Sequence, residues 1–414
     1  MLTKISKLNY INILGLLCAS IIPFLVLGPF FPDLILSTLS LWFIYFSIKN
    51  KIYYNFKNIF FHIFLVFCFI CLISSLLSED ILLSFESSLF YFRIGVFALF
   101  ISYLIQQEKK ILDYFYFTFI ITYSAIIIDG LFQYLTGSNL LGYELRGERV
   151  SSFFNEELIM GSYLVRLLPL FLALYLVRNK KNIFENILFY FLFTLSYLLI
   201  FLSGERTSFF FLNLFVFFNI LLLNKDKFIR ITIFVISIIL VTSLILSDSK
   251  YYNRYIISPI NQFGFDNANK EIKIFSPQHD AIYKTAWKMF LDKPILGHGP
   301  KMYRIKCKEK KYSIGVSPCD SHPHNFYIQL LAETGLVGFL FLFSLFCYLI
   351  FLIFKHLYKK IISNQLLFSD YQICLLSGLL ISSWPLSPNG SFFNNYLMIL
   401  YSLQIGFFTA SKKI

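Results

Sequence analysis

Charge is scarce in this chain. Only 14% of its 414 residues are Asp, Glu, Lys or Arg, and just 23 of these are acidic. Soluble domains carry about 25% charged residues, so a water-exposed globule of this length is excluded. Common phosphate and metal signatures are missing too: there is no Walker A loop, no Gly-x-Gly-x-x-Gly and no His-Glu-x-x-His. No apolar run carries the chain of carboxylates expected of an ion-coupled pump. Five of the seven cysteines (Cys18, Cys68, Cys71, Cys347 and Cys374) lie in apolar runs and read as packing residues. Cys307 and Cys319 alone lie in a polar stretch. They lack the Cys-x-x-Cys spacing of a zinc site but are placed to form a disulfide in an oxidising compartment. Closing such a short loop stabilises it by roughly 3 kcal/mol on the entropic account.

What is abundant is apolar. Hydrophobic residues make up 57%, with 52 Phe and 27 Tyr, and the mean hydropathy is +0.68. Runs long enough to cross roughly 30 Å of hydrocarbon as helices recur down the sequence. They predict an all-α polytopic membrane protein with spans near 11–28, 33–48, 59–77, 82–105, 111–133, 158–177, 184–202, 207–223, 228–247, 329–354, 368–386 and 395–411, about twelve in all. Lys4 and Lys7 precede the first run as in a signal peptide. Gly28-Pro29-Phe30-Phe31-Pro32 offers no small-x-small cleavage site, so the first span reads as uncleaved.

Basic residues give the orientation. Alternate ends carry Lys4 and Lys7; Lys49, Lys51 and Lys57; Lys109 and Lys110; Arg178, Lys180 and Lys181; Lys225, Lys227 and Arg230; Lys355, Lys359 and Lys360; and Lys412 and Lys413. The opposite short loops hold little beyond Arg146, Arg149 and Arg206. Both termini are therefore expected in the cytoplasm. Residues 1–247 form spans one to nine, 248–328 a long extracytoplasmic loop and 329–414 the last three spans. The net charge of +13 is largely this topology. Nucleic acid is not an expected partner, whereas the bilayer is, and anionic headgroups suit the basic outer loop.

That loop is too long to be a plain linker. His279–Pro294 reads as an amphipathic helix with Ile282, Ala286, Met289 and Phe290 on one face and Lys284, Lys288 and Asp292 largely off it. Pro294 and the turn Gly297-His298-Gly299-Pro300 end it. A second helix is expected to begin before Ser321-His322-Pro323-His324-Asn325 and to run into the tenth span. Together they would lie along the outer membrane boundary and roof a cavity.

Three groups of residues there are suited to chemistry. His324 sits at the lip of a span with His322 and Asn325 beside it. As an imidazole it suits proton transfer, although it also reads as a helix-start residue or a structural hydrogen-bond partner of His322. Arg206 lies in a short turn between two spans, next to Gly204 and Glu205. A guanidinium there either snorkels, pairs with Glu205, or grips phosphate oxygens bidentately. The third group is the mixed-charge loop containing Arg146, Arg149, Glu156 and Glu157, with Arg166 inside the sixth span facing a cavity or a carboxylate such as Glu157. Lys301, Arg304 and Lys306 add cations. Cations and an imidazole on one face, with no metal cage, suit displacement of an anionic leaving group without a metal or cofactor.

Two motifs carry a resemblance. Asp292-Lys-Pro-Ile-Leu-Gly-His-Gly-Pro300, followed by His322-Pro-His-Asn-Phe-Tyr-Ile-Gln-Leu-Leu-Ala-Glu-Thr-Gly-Leu-Val-Gly338, resembles the signature of the O-antigen ligase and polymerase superfamily. Gly204-Glu205-Arg206-Thr207 is similar to that family's Ser-Gly-x-Arg turn. The resemblance implies an inverting, metal-independent glycosyltransferase of the bacterial inner membrane with its active site facing the periplasm. The donor would be a glycan on undecaprenyl pyrophosphate. His324 would activate the acceptor hydroxyl, Arg206 would hold the pyrophosphate, and His322 and Asn325 would support the site. The chain departs from the family where a second arginine precedes the tryptophan of the amphipathic helix. Before Trp287 stand Tyr283, Lys284, Thr285 and Ala286, so Lys284, Arg304 or Arg149 would supply that contact. Transfer to lipid A–core is the expectation, as in O-antigen ligases and in lipopolysaccharide biosynthesis. Joining of lipid-linked repeat units by a polymerase is the alternative. Transfer to protein hydroxyls, or transport of lipid-linked sugars by a flippase, follows behind.

Overall fold

Apolar runs in lipid must satisfy their own backbone polar groups, which leaves helices as the open-chain solution. The computed structural model describes residues 2–178, 182–263 and 275–411, and among these it is helical, with two isolated β-bridges and no strand. Lys180, Lys181, Lys412 and Lys413 lie outside the described residues, as do the side chains of Lys4 and Lys7.

Each apolar run falls on a helix or a broken pair. The first becomes α1 (Leu2–Ala19) and α2 (Ile21–Leu27), followed by α3 (Phe30–Lys49) and α4 (Ile59–Leu76). The fourth run splits into α5 (Ile81–Ser88) and α6 (Phe92–Gln107); α7 (Ile111–Thr136), α8 (Met160–Val177), α9 (Ile183–Leu202), α10 (Arg206–Leu222) and α11 (Lys227–Ser247) follow. The loop contributes α12 (Ser249–Tyr252), α13 (Ser258–Phe263), α14 (Pro277–Asp292) and α15 (Tyr303–Lys306). The chain closes with α16 (Phe326–Ile362), α17 (Asp370–Ser382) and α18 (Asn395–Ala410). Among the described residues, nine helical stretches are long and apolar enough to cross a membrane; α10 and α17 are apolar but shorter. The protein is thus an all-helical, polytopic membrane protein.

The helix α8 is the axis of the bundle. Nearly all of it is buried against α7, α9, α10, α17 and α18. By contrast α11 buries only Ser237 and Val241, so its isoleucines and leucines face outward, as a lipid-facing helix requires. The C-terminal end of α10 is closed by Lys360, whose Nζ donates to the carbonyls of Leu221, Leu222 and Leu223 at 2.9–3.1 Å.

The loop has a core of its own. Ile282, Ala286 and Met289 on α14 pack with Tyr303, Cys307, Tyr312 and Ala332, while Lys284 and Lys288 are exposed and Phe290 is half-buried at the edge. Ser276 caps α14 and Pro277 occupies its first turn, where no amide donor is needed. The expected second helix does not begin before the His-Pro-His-Asn motif. It begins after it, at Phe326, because the Asn325 side chain accepts from the amides of Tyr327 and Ile328 at 3.0 and 3.1 Å and so sets the first turn.

The two motif strings dock on each other through their backbones. The His298 and Gly299 amides donate to the carbonyls of Ala332 and Glu333 at 3.1 and 2.8 Å, and Leu336 donates back to Pro294 at 2.8 Å. Helix α16 breaks at Gly335, which sits at φ 67° and ψ −164°. A Cβ on Gly335 would stand 2.2 Å from the Ile295 carbonyl oxygen. Gly335→Ala is therefore expected to destabilise the purified protein by roughly 2–4 kcal/mol, through backbone strain and displacement of the docked turn. Gly142→Ala is the control: Gly142 also has positive φ but open space around it. Thermal midpoints in detergent check this, with Gly335→Ala expected well below Gly142→Ala.

Candidate active site where the loop meets the bundle

The segment 319–325 is pinned at both ends. Cys319 is bonded to Cys307, with Cα atoms 5.2 Å apart, and the Tyr303 hydroxyl donates to the Pro318 carbonyl at 2.6 Å. At the other end Asn325 is buried, and its Nδ2 donates to the Pro385 and Ser387 carbonyls at 2.7 and 3.3 Å. All of its hydrogen-bonding groups are thus spent on backbone, and none is directed at an imidazole.

Between the pins the chain turns sharply. His324 adopts a left-handed conformation at φ 53°, and its carbonyl accepts from the Asn389 amide at 2.7 Å. The His324 Nε2 lies 2.8 Å from Asp320 Oδ2. Two more imidazoles face it: His322 with ring centroids 4.2 Å apart, and His279 of α14 edge-on at 5.7 Å. Hydroxyls fix these neighbours, with Ser321 Oγ 2.8 Å from His322 Nδ1 and Ser276 Oγ 2.8 Å from His279 Nδ1.

The electrostatics follow from burial and crowding. Burial, reinforced by the His324 charge, pushes His322 down to about 4. Burial first, then His324 and Arg206, also lowers His279. Burial opposes ionisation of Asp320, yet hydrogen bonds from His324 and Ser321 hold it below the usual carboxylate range. For His322 the folded value lies below the unfolded one. Its stabilising contribution is therefore complete above about pH 6.5 and is lost as pH falls from there towards 4. The thermal midpoint of the wild type should drop between pH 7 and pH 5. His322→Gln should flatten that drop, and an unchanged slope would contradict the assignment.

The arginines gather around the turn between α9 and α10. Gly204 has φ +64°, and a Cβ there would meet Arg254 Nε at 2.7 Å and Arg149 Cγ at 3.0 Å. Arg254 Nε donates to the Gly204 carbonyl at 2.8 Å, and Arg149 Nε donates to that of Ser203 at 2.8 Å. Neither forms an ion pair among the described residues. Burial and the neighbouring Arg254 push Arg149 below the usual arginine value. Arg206 is the exposed first residue of α10, also without an ion pair among the described residues. Glu205 does not neutralise it. The Glu205 carboxylate instead accepts from the Gly161 and Ser162 amides at 2.7 and 3.0 Å and from Ser208 Oγ at 2.8 Å. It thereby caps the positive end of α8.

The other cations divide. Lys284 is exposed and paired with Asp280 at 2.6 Å on the outer face of α14. Arg304 is half-buried with Nε lacking a partner, and its charge contributes to the depression of His322. Arg146 pairs with Glu156 at 2.6 Å. Arg166 does not face Glu157: it is buried in the bundle, bonded to Ser162 and Asn389 and stacked 5.4 Å from Phe211. The structure therefore brings together His324, His322, Arg206, Arg149 and Arg304, and it adds His279, Asp320 and Arg254. Among the described residues, no group of three or more His, Cys, Asp or Glu is placed to hold a metal ion.

This arrangement lies almost wholly within residues 190–343, which match the family described as O-Antigen ligase. Those residues are similar to an O-antigen ligase domain. The chain is also similar to the teichuronic acid biosynthesis protein TuaE of Bacillus subtilis (strain 168), at 22% identity over 335 residues covering 77% of this chain and 66% of that protein. The chain thus spans just under two thirds of the length of that relative. Together these support the O-antigen ligase and polymerase superfamily read from the motifs. Within the matched residues 190–343 fall Arg206, Arg254, His279 and the whole 319–325 segment, and Arg149 reaches the site from outside them.

Three of these residues were missed by the sequence reading. Asp320 stands four positions before His324, a spacing that could have flagged it. Arg254 was visible as a lone cation in Tyr251-Tyr-Asn-Arg-Tyr-Ile-Ile. His279 carried no signal, because only the fold of the loop brings it to the others.

Proposed function

We propose that this protein transfers a glycan from a polyprenyl pyrophosphate, undecaprenyl pyrophosphate in a bacterial inner membrane, to a hydroxyl acceptor, with lipid A–core as that acceptor. The observation that carries the reading is the placement of uncompensated arginines beside an imidazole cluster under the loop. His279 packs against His324, and after burial and His324 the Arg206 charge also lowers it, which supports base and cations sharing one site.

The chemistry follows from these positions. The acceptor oxygen attacks the anomeric carbon and gives its proton to His324. The bond from that carbon to the pyrophosphate breaks on the opposite face, which inverts the centre. The leaving pyrophosphate takes the electron pair, and Arg206, Arg254 and Arg149 stabilise the developing charge. The site faces the periplasm in this reading, with both termini in the cytoplasm.

The family description as O-Antigen ligase supports ligation. The relative is named for biosynthesis of teichuronic acid, which supports glycan assembly without choosing ligation, so joining of lipid-linked repeat units is the second reading. Lipopolysaccharide gels of a deletion strain separate the two. A ligase predicts bare core, with polymer stranded on its lipid carrier. A polymerase predicts core bearing a single repeat unit. An unchanged lipopolysaccharide pattern would rule out both.

A further inference from the structure

The geometry points to Asp320 as the positioning residue of His324: its carboxylate holds the imidazole through Nε2 and leaves Nδ1 as the atom that takes the acceptor's proton. This rests on the reading of His324 as the base.

Valence fixes which ring nitrogen carries the hydrogen. An ionised carboxylate only accepts hydrogen bonds, so a neutral His324 with Nε2 at 2.8 Å from Asp320 Oδ2 carries its hydrogen on Nε2 and its lone pair on Nδ1. Once Nδ1 has taken the proton from the acceptor hydroxyl, the ring is a cation, and Asp320 is the only carboxylate paired with it among the described residues. The oxygen's electron pair forms the new glycosidic bond, and the old one leaves with the pyrophosphate.

Asp320 is itself fixed. Its Oδ1 accepts from the Ser321 amide at 2.5 Å, leaving Oδ2 directed at the ring. Cys319 next to it is tied to Cys307, and Pro318 is held by Tyr303. The groups facing His324 from neighbouring elements are His279 of α14 and His322, both lowered by burial, and neither can neutralise an imidazolium. Side-chain exposures of 29% for His324 and 36% for Asp320 leave the pair open on one side, where an acceptor enters. The alternative is an i, i+4 pair that merely stabilises the turn.

Steady-state kinetics of the purified protein with a polyprenyl-pyrophosphate glycan and its acceptor separate the two. Asp320→Asn is expected to lower kcat on the order of 10²-fold, with both KM values within about twofold and the Cys307–Cys319 bond still closed on a non-reducing gel. Asp320→Glu, which keeps the charge, should recover at least about tenfold over Asn and remains informative if the Asn variant misfolds. Unchanged kcat in folded Asp320→Asn, or Glu no better than Asn, overturns the inference. An inactive His324→Ala beside a fully active Asp320→Asn would sink this assignment alone, whereas a fully active His324→Ala would sink the base reading beneath it.

Discussion

His324→Ala is expected to abolish complementation of a deletion strain and to lower turnover by about 10²–10⁴-fold, the usual contribution of a positioned general base. The variant should fold. The His324 side chain is partly exposed, and its carbonyl bond to the Asn389 amide does not need the imidazole. Loss of activity should therefore come without loss of expression or of the Cys307–Cys319 bond. His322→Gln should fall far less, because burial keeps His322 neutral and Ser321 already occupies its Nδ1. Equal losses at both positions would mean that the cluster is structural.

Arg206→Gln carries the second large effect. Removing one fixed donor from a developing oxyanion costs about 10²–10³-fold in rate, and Arg206 makes no competing ion pair among the described residues. Arg254→Gln should act in the same direction. The double variant should fall short of the product of the two single effects, since both guanidinia flank the turn at Gly204 and in the proposed site would serve the same anion. Lys284→Gln is the contrast: its ammonium is exposed and paired with Asp280, so its loss should change kcat by less than about twofold. A phosphate role for Lys284 would show itself as a loss comparable to that of Arg206→Gln.

Much of the fold was legible because lipid leaves few options. Apolar runs had to be helices, and each became a helix or a broken pair. Helix ends were less legible. Gly335 breaks α16 directly after Glu333 and Thr334, and the break depends on the Pro294–Gly299 turn docking there, a contact between distant parts of the chain. The face of α14 could be read from Ile282, Ala286 and Met289 because its loop core is small and one-sided.

The site was legible in halves. His324 and Arg206 stood out because ionisable groups at a membrane lip are costly to keep. Asn325 could not be assigned from sequence, since only the structure shows its amide committed to Pro385 and Ser387 on the far side of α16. For a second phosphate contact the sequence offers Lys284, Arg304 or Arg149, and the structure adds Arg254, from the start of the loop, beside Arg149 at the Gly204 turn. That placement depends on residues 253–257, which follow α12, folding over the Phe201–Gly204 turn, which no local pattern announces.

The central claim is that His324 and the arginine cluster form one transferase site. The most direct measurement incubates purified protein with a polyprenyl-pyrophosphate-linked glycan and a hydroxyl acceptor, then follows both the glycosylated product and the released lipid pyrophosphate. The account predicts stoichiometric release and product with inverted anomeric configuration, both lost in His324→Ala and in Arg206→Gln. Retained configuration, or transfer by His324→Ala at the wild-type rate, would contradict it.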